Sequence, residues 1–155
     1  MDVINGTNYL TAFGENIFEV LKTVSDPTGI HNRQFVYRDG MPDVKSAEFD
    51  DYPFIVLQNY GVEDINWSVD RSAATLEGSA EIHILQSNDS VQDKQRFEQI
   101  SQAVTDIFIK GIDLNEVKII HPRIERNQRF PARDEADEKV LVREIDISCR
   151  MQVVV

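Results

Sequence analysis

The sequence predicts an α+β fold, an antiparallel or mixed β-sheet with two amphipathic helices packed on one of its faces. Three observations lead there. Residues 141–155 alternate with period two: Ile145, Ile147, Cys149, Met151, Val153 and Val155 fall on one side and Glu144, Asp146, Ser148, Arg150 and Gln152 on the other. That pattern marks a strand with one buried and one wet face. Two other stretches repeat their apolar residues at helical spacing. Strands and helices do not alternate regularly and no internal repeat is visible, which argues against a parallel βαβ architecture.

The first helix follows from Leu10, Phe13, Ile17, Val20, Leu21 and Val24, which share one face after an Asn5-Gly6-Thr7 start. Asp26-Pro27 with Thr28-Gly29 stops it. A short extended piece at residues 35–38 precedes an acidic, turn-rich loop at about 39–51. Tyr52-Pro53-Phe54-Ile55-Val56-Leu57 is a β-branched and aromatic run with its proline at the strand start, where a missing N–H is tolerated. Asn59 to Gly61 is expected to break this strand. Ile65, Trp67 and Val69 then alternate, and Leu76, Ala80, Ile82 and Ile84 alternate in the next strand, so the two pair as a hairpin. Asn88-Asp89-Ser90 caps a second helix at about 91–109, with Asp93 completing a short capping box. Its buried stripe is Phe97, Ile100, Val104, Ile107 and Phe108, and Gly111 stands where a left-handed terminating residue is wanted. A strand containing Val117, Ile119 and Ile120 is separated from the last strand by a charged loop at about 121–139.

The length of 155 residues suits one domain spanning residues 1–155, large enough to bury a core without staples. Sixteen Lys and Arg stand against 27 Asp and Glu, a formal charge of −11. This opposes non-specific attraction to nucleic acid and anionic membranes. The single cysteine, Cys149, reads as a small buried hydrophobe on the apolar side of the final strand. The first residues show no basic start with an apolar run, and no stretch is apolar over the roughly 18 residues a membrane helix needs, so an aqueous cytosolic origin is expected.

The residue patterns give little support to catalysis. His31, His83 and His121 lie far apart, without the close carboxylate or cysteine spacing of a zinc site, so no metal or cofactor is expected. Asp134-Glu135-Ala136-Asp137 spells a nucleotide-hydrolase box, but the chain has no glycine-rich phosphate loop to accompany it. There is no Gly-x-Ser-x-Gly elbow and no dinucleotide fingerprint. A hydrolase using His83 or His121 with nearby acids is the weakest of the readings. Trp67 reads as core or interface in preference to a ligand pocket. The unusual charge feature is Arg123, Arg126, Arg129 and Arg133, accompanied within that stretch by one acid, Glu125. Besides solvation and phosphate contact, these multi-donor cations can meet carboxylates of a neighbouring subunit, for which Asp43, Glu48, Asp50 and Asp51 are the candidates.

The layout resembles the tail terminator and tail-completion proteins of tailed bacteriophages and related viruses, including head-tail joining and neck proteins. The resemblance is carried by the first helix, the lead-in Asp51-Tyr52-Pro53-Phe54-Ile55-Val56-Leu57, the strand at 76–85, the polar break at 86–90 into the second helix, and the closing strand. It spans most of the chain and rests on element order and strand texture, not on a signature motif. It implies a non-enzymatic virion subunit, assembled in the host cytoplasm. Such subunits form a ring, often a hexamer, at the head-proximal end of the tail tube. Its implied partners are other copies of itself, the tail tube protein and a head connector or neck protein, with DNA passing through the lumen without sequence-specific binding. It transfers no individual functional residue. A neck-layer subunit one step nearer the head is the alternative, as is a dimeric α+β ligand-binding module with a pocket near Trp67. An acidic lumen would suit DNA passage, because a wall that repels phosphate does not trap it.

Overall fold

A computed structural model describes residues 3–5, 9–29, 34–40, 52–67, 69–70, 72–113, 118–119, 123–134 and 138–154. In chain order the elements are β1 (Val3–Asn5), α1 (Tyr9–Leu21), β2 (Val36–Arg38), β3 (Phe54–Trp67), β4 (Ala73–Ser87), α2 (Val91–Lys110), β5 (Ile112–Asp113), β6 (Lys118–Ile119), β7 (Arg123–Arg133) and β8 (Lys139–Val154). The fold is α+β, as the residue pattern predicts. Its main sheet has the order β1-β8-β4-β3-β2, with β7 also paired to β8. The sheet is mixed, because β1 runs parallel to β8 and β2 parallel to β3 while β3, β4, β8 and β7 pair antiparallel. The expected loop at 39–51 lies almost wholly outside the described residues.

One sheet face builds most of the core, and a smaller apolar group, Phe54, Val56, Leu85, Val140 and Val142, is buried on the other. Leu76, Gly78, Ala80, Ile82 and Ile84 of β4 lie in register with Met151, Cys149, Ile147, Ile145 and Arg143 of β8, and the apolar members of both rows are buried. Phe13, Ile17 and Leu21 of α1 are fully buried, and the ring of Phe13 lies against Gly78. From α2, Phe97 packs under the Arg143 guanidinium at 5.8 Å. Gly78 and Ile84, the β4 partner of Arg143, point to the same side, so both helices cover one face. Each fully buried Phe, Ile or Leu contributes roughly 1.5–3 kcal/mol of burial free energy.

Local chemistry sets the helix ends. Asp26 Oδ1 accepts hydrogen bonds from the Thr28 amide at 2.9 Å and hydroxyl at 2.8 Å, a side-chain turn that closes the exit from α1. Ser90 caps α2 by accepting from the Asp93 amide at 3.1 Å. The reciprocal bond shifts by one residue from the expected box: Asp93 Oδ2 takes the Asp89 amide at 3.1 Å. Gly111 has a positive φ, as expected, but with ψ 158 it is extended and not left-handed helical. Ile107 is only partly buried, and Ser101 takes a place in the buried stripe.

Three sequence expectations are corrected. Asn59 to Gly61 does not end a strand: β3 runs through it to Trp67, with register shifts between Gln58 and Gly61 and between Val62 and Asp64. Asn59 adopts φ 47, so its turn chemistry is absorbed as a bulge while pairing resumes beyond it. Val69 lies in the turn after β3 and is fully exposed, and Trp67, expected in the core or at an interface, is 38% exposed. Within the expected loop at 121–139, residues 123–133 are not a loop: they form β7, which makes a hairpin with β8. A shift between Ile124 and Arg126 breaks its period-two pattern, and an edge strand wet along most of its length reads as polar. Val117 and Ile120 lie outside the described residues, while Lys118 and Ile119 pair with β5.

Candidate functional site

The arginines singled out in the sequence are collected on β7, whose pairing among the described residues is with β8 alone. An eleven-residue strand thus runs along the border of the sheet, and its outer row of backbone donors and acceptors is suited to pairing with another chain. Pro131 is tolerated there because an edge strand need not donate on both sides.

The arginines already have work within the subunit. Arg129 meets Glu98 of α2 at 2.9 Å, and Glu98 also reaches Arg143 of β8 at 3.8 Å, so one carboxylate ties the helix to both strands. Arg143 in turn donates to Asn127 Oδ1 at 2.7 Å. Arg126 contacts Glu144 at 3.4 Å across the other face, and Arg123, whose side chain is 79% exposed, lies 3.4 Å from Glu125. Exposed pairs of this kind are worth at most about 1 kcal/mol each. They leave most of the donor capacity of Arg123 and Arg126 directed at solvent. Arg133 is exposed at the far end of β7. The proposed acidic counterparts Asp43, Glu48, Asp50 and Asp51 lie outside the described residues, as do His31 and His121.

At the β7–β8 turn Asp134 is structural. Its Oδ1 accepts the Glu138 amide at 3.0 Å, its own amide donates to the Glu138 carbonyl at 3.0 Å, and its Oδ2 accepts the Tyr52 hydroxyl at 2.6 Å. Burial, and then the bond to Asp134, push the Tyr52 phenol well above its ordinary range. The Tyr52 ring stacks on Phe54 at 5.3 Å, which pins the start of β3 to the β7–β8 turn. The remaining acids of the Asp134-Glu135-Ala136-Asp137 box lie at 135–137, outside the described residues.

His83 is half-buried on the sheet face away from the helices, as the alternation of β4 places it. Chain spacing gives His83 no zinc-site pattern, but strand pairing brings carboxylates to it. Glu81 and Glu144 each bring a ligand-capable oxygen to within 4.8 Å of a His83 nitrogen and of one another. The signal was not in chain spacing, because Glu144 arrives through strand register: it lies directly opposite His83 in the β4–β8 ladder.

No protein-family description matches this sequence, and no curated protein does either. Among solved structures, the fold is similar to a chain of the virion of a native gene transfer agent particle, with a TM-score of 0.56 and 12% sequence identity. The likeness covers 89% of this chain and 92% of the other. At that identity the shared property is the fold, over nearly the full length of both chains.

Proposed function

We propose that this protein is a structural subunit of a phage-like virion, forming a ring at the head-proximal end of the tail tube that ends tube growth and offers the joining surface for the head. The observation that carries this reading is the full-length likeness in fold to a chain of a gene transfer agent virion. The element order that resembles tail terminators and tail-completion proteins supports the finer placement, and a neck layer one step nearer the head is the alternative within the same class.

The sheet supplies a physical reason for ring formation. Its open borders, β7 on one side and the three-residue β2 on the other, need partners or cover, and head-to-tail packing around a closing rotation satisfies both without growing a fibre. Arg123 and Arg133, with the free donors of Arg126, face the neighbouring subunit's carboxylates in this arrangement, Asp43, Glu48, Asp50 and Asp51 being the candidates. Other copies, the tail tube protein and a head connector are the partners, and excess acids line a lumen through which DNA moves without being held. Arg123→Glu with Arg133→Glu should lower the self-association constant by about tenfold or more, measured by sedimentation. Arg123 is chosen because its side chain is 79% exposed, against 52% for Arg126 and 54% for Arg129, and Arg133 because it stands exposed at the other end of the strand. Electron microscopy of particles lacking the protein decides the layer: tails of uncontrolled length support a terminator, finished tails that cannot join heads support a neck protein, and normal particles refute both.

A further inference from the structure

We propose that Glu81, His83 and Glu144 form a binding site for one divalent transition-metal ion of the zinc type, on the sheet face away from the helices. The site is independent of the assembly role, since it uses residues of a single subunit.

Strand geometry brings the three together. Glu81 and His83 are two apart on β4 and therefore share a face, while His83 lies opposite Glu144 in the antiparallel ladder with β8. Directly opposed side chains in such a ladder have Cβ atoms about 4.5–5.5 Å apart, so three ligands converge without any loop. The His83 Nε2 to Glu81 Oε2 separation is 3.4 Å. That is long for a hydrogen bond, yet it matches the edge of a tetrahedron whose metal–ligand bonds are about 2.0–2.1 Å. The outer limit of 4.8 Å among all three atoms leaves a small rotamer adjustment to close the set.

The surroundings favour a cation. The side chains of His83 and Glu144 are each 17% exposed and that of Glu81 is 34% exposed, so these groups are partly withdrawn from water and not spread over a solvated surface. Val56 of β3, fully buried, stands opposite His83 on its other side and forms an apolar wall. Asp146 faces Glu81 across the ladder, an arrangement of like charges that costs stability. One Asp146 carboxylate oxygen is sealed from solvent without a hydrogen-bond partner. Three carboxylates thus surround one imidazole, and the cation on hand is Arg126, 52% exposed and 3.4 Å from Glu144. An ion displaces it at little cost, because an exposed pair is weak. Asn59 donates to Glu81 Oε2 at 2.9 Å and orients that carboxylate, as groups behind a metal ligand commonly do.

The donor set of one imidazole and two carboxylates suits zinc, cobalt or manganese more than the all-oxygen preference of magnesium and calcium. Because the ligands come from β4 and β8, a bound ion clips together the two central strands of the sheet.

Isothermal titration of the chelator-stripped full chain with Zn2+, and the visible spectrum with Co2+, test the site. The expected result is one ion per chain, with affinity falling about tenfold or more in His83→Gln and in Glu144→Gln, and rising in Arg126→Ala. Zinc at about 100 times its dissociation constant should raise the Tm by about 5–11 °C in the wild-type chain. Circular dichroism of each variant confirms that it is folded. Wild-type protein that takes up no ion at about 1 mM overturns the proposal. So does binding that survives both ligand substitutions, or that is lost instead in His31→Gln with His121→Gln.

Discussion

Replacing Gly14 with alanine sets two effects of known size against each other. Gly14 is buried inside α1 with the ring of Tyr60 directly over it, and an added methyl group would sit well within van der Waals contact of the ring's Cδ2 and Cε2 atoms. Alanine in a helix interior is favoured over glycine by about 1 kcal/mol. Against this, forcing a methyl into a packed site costs about 1–3 kcal/mol. Tyr60 cannot simply turn aside, because its hydroxyl donates to Asp39 at 2.9 Å, and losing such a bond costs about 0.5–1.5 kcal/mol. The clash wins. Gly14→Ala should destabilise the chain by about 1–2 kcal/mol, a fall in Tm of roughly 2–8 °C for a domain of this size. In a Tyr60→Ala background the obstacle is gone, and the same substitution should stabilise by up to about 1 kcal/mol. Urea unfolding of the four proteins closes a double-mutant cycle. A stabilised single variant, or an equal effect in both backgrounds, would refute the packing argument.

Two further perturbations have signs fixed by the structure. Ser90→Ala removes the acceptor of the Asp93 amide and should cost about 1 kcal/mol in urea unfolding; an unchanged midpoint would show that Asp89 or solvent replaces the cap. Asp146 has its carboxyl pKa raised above the ordinary 3.8, by burial first and then by Glu144 and Glu81. The folded chain holds that proton more tightly than the unfolded one, so the contribution to stability is complete below 3.8 and is lost as pH rises through the folded value. Asp146→Asn, measured in chelator, should therefore raise the Tm near neutral pH and leave it unchanged at about pH 3; a variant less stable than the parent at neutral pH contradicts this.

Periodicity made the core legible, because burial is imposed on alternate residues wherever one face of a strand is covered. The rows Leu76 to Ile84 and Ile145 to Met151, and the stripes of both helices, follow directly from it. Boundaries controlled by backbone exceptions were hidden. Asn59 and Gly61 carry the residue chemistry of a turn, and nothing local distinguishes a turn from a bulge when pairing continues on the far side. β7 was obscured for a different reason: its border position exposes most side chains, and a shifted register at Glu125 erases the alternation. Of the two places suggested by its type, core or interface, Trp67 does not take the first, because the tip of the β3–β4 hairpin leaves it accessible. The arginines were conspicuous in sequence, but their partners Glu98 and Glu144 lie on other elements. The grouping of Glu81, His83 and Glu144 likewise depends on the offset between β4 and β8, which no short-range spacing encodes.

Strand β8 pairs in register with β4 at fifteen successive positions from Ala73 to Ser87, and also with β1 and β7. It follows every other described element in the chain. During synthesis the β3–β4 hairpin therefore emerges from the ribosome with its central edge bare, and the sheet cannot be completed until β8 itself has been made. Slow, non-local closure of this kind leaves a nascent sheet open to mispairing. Timing on the polysome, as much as equilibrium stability, should thus govern what share of the chains reaches the native sheet.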